Sequence, residues 1–228
     1  MKLVIFDLDQ TLVDFLPVHD EVARRLFKSW FGVEAKITEV DYAGKTLTDT
    51  FRELARLKNI PEDVFQEKGA QLLENYEIAF GESLPPDAAE HILPGVKELL
   101  RALAMTDNIV ALYTGDSPAI VKHVFQATEL GKYFKFCFYG TDVEKRADMV
   151  RLAIAKAERM AGRQFRDKDV VIIGDSIRDI ECGKPFNALT IAVATGFYTK
   201  VQLSAVEPDY LFENLSNYRK VLAAIEAR

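Results

Sequence analysis

The sequence holds only two cysteines and three histidines in 228 residues, and no apolar run long enough to cross a bilayer. Cys137 lies in an apolar strand-like run and Cys182 in a helix-like one, so both read as buried thiols of a reduced compartment. His19, His91 and His123 are scattered without ligand spacing and read as surface or packing residues. Basic charge is also scarce: 29 Lys and Arg stand against 35 Asp and Glu, a net charge of -6. That balance leaves no basic face for nucleic acid. The leading apolar run is broken by Asp7 and Asp9, which fits neither a secretion signal nor a membrane anchor. A cytoplasmic location without membrane contact is therefore expected. Internal repeats and low-complexity stretches are missing too, which argues against an array or a disordered chain.

What is present is an ordinary globular composition, 49% hydrophobic and 28% charged, in a length that suits one well-buried domain and a smaller one. Five short runs are apolar throughout rather than alternating: residues 3–6, 109–113, 136–139, 170–173 and 189–193. Such runs predict strands covered on both faces. Helical spacing separates them, as in Met149, Leu152, Ala153, Ala157 and Met160. Strand alternating with helix predicts a parallel sheet with crossovers. Between residues 15 and 90 the texture changes to helices alone. One carries Phe51, Leu54, Ala55 and Lys58 after Leu47, and another carries Phe65, Leu72, Leu73, Tyr76 and Phe80. Leu84-Pro85-Pro86-Asp87 reads as a turn, and Leu93-Pro94-Gly95 restarts the main pattern.

The strand ends carry the chemistry. The first runs into Asp7 and Asp9, the second ends in Thr114-Gly115-Asp116, and the fourth in Gly174-Asp175-Ser176 with Asp179 beyond. In an open parallel sheet the carboxyl ends of the strands lie along one edge, where ligands bind. Asp7, Asp9, Thr114 and Asp175 should therefore meet there. Several carboxylates in one cleft call for a cation, and oxygen ligands alone favour Mg²⁺, which commonly shares a substrate phosphate. A negative chain can bind such a substrate when the metal and a few cations are local. Thr114 supplies a hydroxyl and Gly115 an open backbone N–H for phosphoryl oxygens. Asp175 and Asp179 are one helical turn apart and should face the same way. Thr11, Ser176 and Asp116 could equally serve as helix N-caps, and Lys145 and Arg146 as a solvated charged pair.

In order, these motifs resemble those of the haloacid dehalogenase superfamily, in its phosphoglycolate-phosphatase-like branch. Asp7, Asp9 and Thr11 match its first motif, Thr114 its second, and Gly174-Asp175-Ser176 with Asp179 its fourth. The resemblance implies a doubly wound, Rossmann-like α/β core (1–15 and 91–228) with an inserted α-helical cap (16–90). It implies a Mg²⁺-dependent phosphomonoester hydrolase acting on a small phosphorylated metabolite. Asp7 would be the nucleophile and Asp9 the general acid and base. Mg²⁺ would sit on Asp7, Asp9 and Asp175; Thr114, Gly115 and a cation would hold the phosphate; Asp179, Ser176 and Thr11 would support them. That cation is Arg146 or Lys145, with Arg146 preferred because related chains often read Arg-x-Asp or Arg-x-Glu there. Gln10 replaces the family's usual Gly, which puts loop motion in question. Lys45 and Arg52 are candidates for the far end of an anionic substrate, with Phe15 at the entrance and Thr46 or Thr48 capping the following helix. A phosphomutase, a dehalogenase and a non-catalytic phosphate sensor are the alternatives. The dehalogenase is disfavoured because Asp175 and Asp179 suit a metal. A monomer or homodimer is expected.

Overall fold

A computed structural model describes residues 1–143 and 146–227. Six parallel strands form one sheet in the order β3-β2-β1-β4-β5-β6. They are β1 (Leu3–Phe6), β2 (Ile109–Thr114), β3 (Phe136–Tyr139), β4 (Val170–Gly174), β5 (Leu189–Val193) and β6 (Tyr210–Phe212). The first five occupy the apolar runs read above. The sixth, Tyr210-Leu211-Phe212, was not expected; three residues alongside β5 make a strand too short to stand out. β1 lies between its partners, with Leu3 opposite Ile109 on one side and Val170 on the other.

Helices cover both faces. The insert supplies α1 (Leu16–Phe31), α2 (Leu47–Leu57) and α3 (Glu62–Ser83). The rest are α4 (Val96–Ala104), α5 (Pro118–Thr128), α6 (Arg146–Ala161), α7 (Ile177–Gly183), α8 (Lys200–Ser204) and α9 (Tyr218–Glu226). Because side chains alternate along a strand, Leu3 and Ile5 join the buried Met149, Val150, Ala153 and Ala157 of α6, while Val4 and Phe6 turn to the opposite core. That second core contains Leu99 and Leu103 of α4, Val124 of α5 and Val221 of α9. It continues into the insert through Phe27, Phe51, Leu54, Tyr76 and Phe80. Fully burying an aromatic or leucine side chain contributes roughly 1.5–3 kcal/mol, so this shared apolar volume ties the insert to the sheet.

Some expectations need correction. β3 is an edge strand and only half-buried, so Cys137 is half-buried while Cys182 is buried. Leu152 and Met160 stay partly exposed on the outer side of α6, where the helical period turns them from the sheet. Phe15 does not line an entrance; it is fully buried, stacked on His91 and edge-on to Phe80.

Helix ends follow local chemistry. Pro17 stands in the first turn of α1, and Gly32 ends that helix with φ of 75°. Thr46, rather than Thr48, caps α2 by accepting from the Asp49 N–H. The two connections between sheet and insert run side by side: Asp14 N donates to His91 O, and Leu93 N to Leu12 O.

Candidate active site

Asp7 follows β1 directly and is fixed by its own N–H donating to Ile173 O of β4, at 2.9 Å. One cavity at this edge of the sheet is lined by Asp7, Asp9, Thr114, Gly115, Arg146 and Asp175. Leu16, His19, Ile37, Tyr42 and Lys45 line it from the insert. Thr11, Ser176 and Asp179 stand behind its wall. Thr11 is not a helix cap: its hydroxyl donates to Asp175 Oδ1 at 3.1 Å. Ser176 does cap α7, in a reciprocal arrangement with Asp179 Oδ2. Lys145 lies outside the described residues.

Arg146 begins α6 and is the most constrained cation here. Its guanidinium donates to Asp7 and, at 2.6 Å, to Asp179 Oδ1. The same group stacks 4.2 Å over the ring of Tyr113, whose hydroxyl also donates to Asp179. It is therefore not a solvated charge. Asp179 is fully buried and its two oxygens are taken up by Arg146, Tyr113 and Ser176.

The remaining carboxylates are less well satisfied. Ligand oxygens of Asp7, Asp175 and Asp179 lie within 4.8 Å of one another, all buried. Burial, together with the charges of Asp179 and Asp9, pushes Asp7 up to about 8 against the pull of Arg146. Burial and the charge of Asp7 hold Asp175 well above the usual carboxylate range. Like charges this close are stable together only when a proton or cation joins them, and oxygen donors suit a hard dication. Asp7 and Asp175 fit Mg²⁺ on this ground. A Cβ at Gly196 would meet Asp175 Oδ2 at 1.8 Å, so only glycine permits that backbone to pass the carboxylate. Gly115 plays a similar part for the insert: a Cβ there would lie 1.9 Å from the Lys45 carbonyl.

Two residues were not read as site residues in the sequence. His19, expected on the surface or in packing, is buried, lines the cavity and brings Nε2 within 3.6 Å of Asp9 Oδ1. Asp116, weighed only as a cap, faces the same group, while Ser117 caps α5. Burial tends to raise Asp9, but His19 and the Asp116 carboxyl bring it below the usual range. Asp116 moves the other way, raised well above it by burial and then by the charge of Asp9. Of the two candidate insert cations, Lys45 reaches the cavity but rests on both oxygens of Glu53 at 2.6 Å. Arg52 does not reach it; it pairs with Asp49 and Glu62 on the outside of α2.

The model of the haloacid dehalogenase-like hydrolases matches residues 4–193, which takes in every strand-end motif. The chain belongs to that family. It is a hydrolase of the phosphoglycolate-phosphatase-like kind. The chain is 27% identical to a phosphoglycolate phosphatase of Vibrio parahaemolyticus, over 98% of its own length and 96% of the relative's. It is 28% identical to a phosphoglycolate phosphatase of Synechococcus elongatus, over 95% of each chain. Its fold is shared with β-phosphoglucomutase of Clostridium difficile, with a TM-score of 0.78 at 14% identity, covering 99% and 97% of the two chains. No helix among the described residues is long and apolar enough to cross a membrane.

Proposed function

We propose that this protein is a Mg²⁺-dependent phosphomonoester hydrolase that acts on a small phosphorylated metabolite through an aspartyl-phosphate intermediate. The observation that carries this reading is the meeting of Asp7, Asp9, Thr114, Arg146 and Asp175 around one cavity from four separate stretches of chain. Asp7 attacks phosphorus and displaces the alcohol, which splits a hard step into two easier ones. Asp9 protonates the leaving alkoxide and then takes a proton from the hydrolytic water. Thr114, the Gly115 N–H and Arg146 hold the equatorial phosphoryl oxygens as charge develops. Asp7 and Asp175, with the Asp9 backbone, would hold Mg²⁺, which supplies positive charge against the phosphate. Thr11 and Asp179 keep Asp175 and Arg146 oriented; Ser176 does the same for Asp179. Residues 16–90 serve as the cap, and residues 1–15 with 91–228 as the core.

The test is phosphate release from a panel of small phosphate esters, with Mg²⁺ and with chelator, for the parent and Asp7→Asn. Metal-dependent release by the parent and loss of at least about a thousandfold in the variant are expected. Release from none of the esters, or equal rates in the two proteins, would sink the reading.

A further inference from the structure

Among the described residues, three buried side-chain atoms have no hydrogen-bond partner: Asp9 Oδ1, His19 Nε2 and Asp116 Oδ2. They are not scattered. Ligand atoms of the three residues lie within 4.8 Å of one another, and all three residues line the active-site cavity. Unpaired buried polar atoms are costly, so such a group awaits a partner. Resting on the phosphatase reading, Asp9 hands its proton to the leaving oxygen, so the alcohol part of the ester must lie beside Asp9. His19 and Asp116 then face that alcohol.

The charges around this position decide what it can carry. The described cations of the cavity are Arg146 and Lys45. Arg146 is taken by Asp7 and Asp179, and Lys45 by both oxygens of Glu53 with Asp41 at 4.0 Å. Neither is left to balance a second anion on the substrate. Asp9 and Asp116 set two acidic side chains at this position, which a substrate carboxylate would have to approach. A hydroxyl meets no such opposition. It can donate to Asp116 and pair with Nε2 of His19, whose Nδ1 already meets Tyr76 Oη at 2.7 Å.

We infer that Asp116, with His19, forms the specificity-determining subsite for the alcohol end of the substrate, and that this end is an uncharged, hydroxyl-bearing alcohol rather than a carboxylate. The natural ester is thus a small polyol phosphate, in contrast to the carboxylate-bearing substrate in the names of the relatives.

The experiment compares kcat/KM for glycerol 3-phosphate and 2-phosphoglycolate at saturating Mg²⁺, with p-nitrophenyl phosphate as a measure of chemistry alone. Glycerol 3-phosphate should be favoured by at least about tenfold. Asp116→Asn and Asp116→Ser should each shrink that ratio at least about fivefold, chiefly through KM of the polyol ester. Equal or better turnover of 2-phosphoglycolate by the parent overturns the inference and leaves the phosphatase reading standing. A ratio unchanged in a folded variant removes Asp116 from the role. Should neither variant fold, the parent ratio decides. Failure of the parent to cleave even p-nitrophenyl phosphate overturns both readings.

Discussion

The guanidinium of Arg146 donates to the Asp7 carboxylate, joining the first residue of α6 to the residue that follows β1. Both side chains are about nine-tenths buried, so the pair is screened little by solvent. Removing one member of such a pair strands the other. Arg146→Ala should lower stability by about 3–5 kcal/mol, measured by denaturant unfolding. Arg146→Lys keeps the charge but loses the fork that spans Asp7 and Asp179, so it should fold yet lose roughly a hundredfold in kcat. A lysine variant with parental kcat would show that the fork is not needed.

Mg²⁺ should raise the thermal midpoint. At a concentration a hundred times its dissociation constant, a ligand specific for the folded chain contributes about 2.7 kcal/mol, or roughly 5–10 °C at this chain length. Asp175→Asn removes one of the two carboxylates that fit the ion and should abolish most of that shift. Scanning calorimetry of both proteins, with Mg²⁺ and with chelator, checks this.

Arg178 of α7 reaches across to the insert, donating to Asp41 Oδ2 at 2.8 Å and to Ala43 O at 2.7 Å. Burial works against the Asp41 charge, but Arg178 and the Tyr198 hydroxyl hold its carboxyl below the usual range. A carboxylate lowered in the folded state stabilises above its unfolded pKa, and that contribution fades as pH falls through the folded value. The contribution should thus be intact at neutral pH and begin to fade below about pH 4. Both groups are about one-third exposed, so its size is about 0.5–1 kcal/mol. Asp41→Asn should lose this much at pH 7 and less at pH 3, read from urea midpoints at the two pH values.

Gln10 holds a left-handed backbone, with φ of 59°. Its Nε2 donates to Asp14 Oδ1 at 2.6 Å, so the side chain braces the loop into the insert rather than crowding it. Gln10→Gly relieves backbone strain of about 1–2 kcal/mol while giving up one hydrogen bond worth about 1 kcal/mol. Net stability should therefore change by less than about 1 kcal/mol. Amide exchange across residues 8–14 should speed up, because the brace is gone.

Much of this arrangement was legible in the residues because a strand end points the same way every time. Asp7, Thr114 and Asp175 follow apolar runs that pair in parallel, so topology alone brings them to one edge. The insert was legible because strand runs stop between residues 15 and 90. Asp116 and His19 were not, for a different reason. Each is placed by how the insert sits over the sheet, and nothing in the local pattern of a loop or a first helix reports that. Arg52 and Phe15 misled in the same way. Their spacing permits a site-facing position, but ion pairing took one outward and core packing took the other inward.

The pairing of β1 has a consequence for how the molecule comes to exist. Its neighbours in the sheet begin at Ile109 and Val170, with the whole insert and three crossovers between. No local contact can complete the sheet around it. Folding is therefore governed by distant encounters and should be slow for a chain of this size. Until the segment holding Val170 has been synthesised, four apolar residues and their unpaired amides remain without their second partner, the interval in which the nascent chain is most exposed to aggregation.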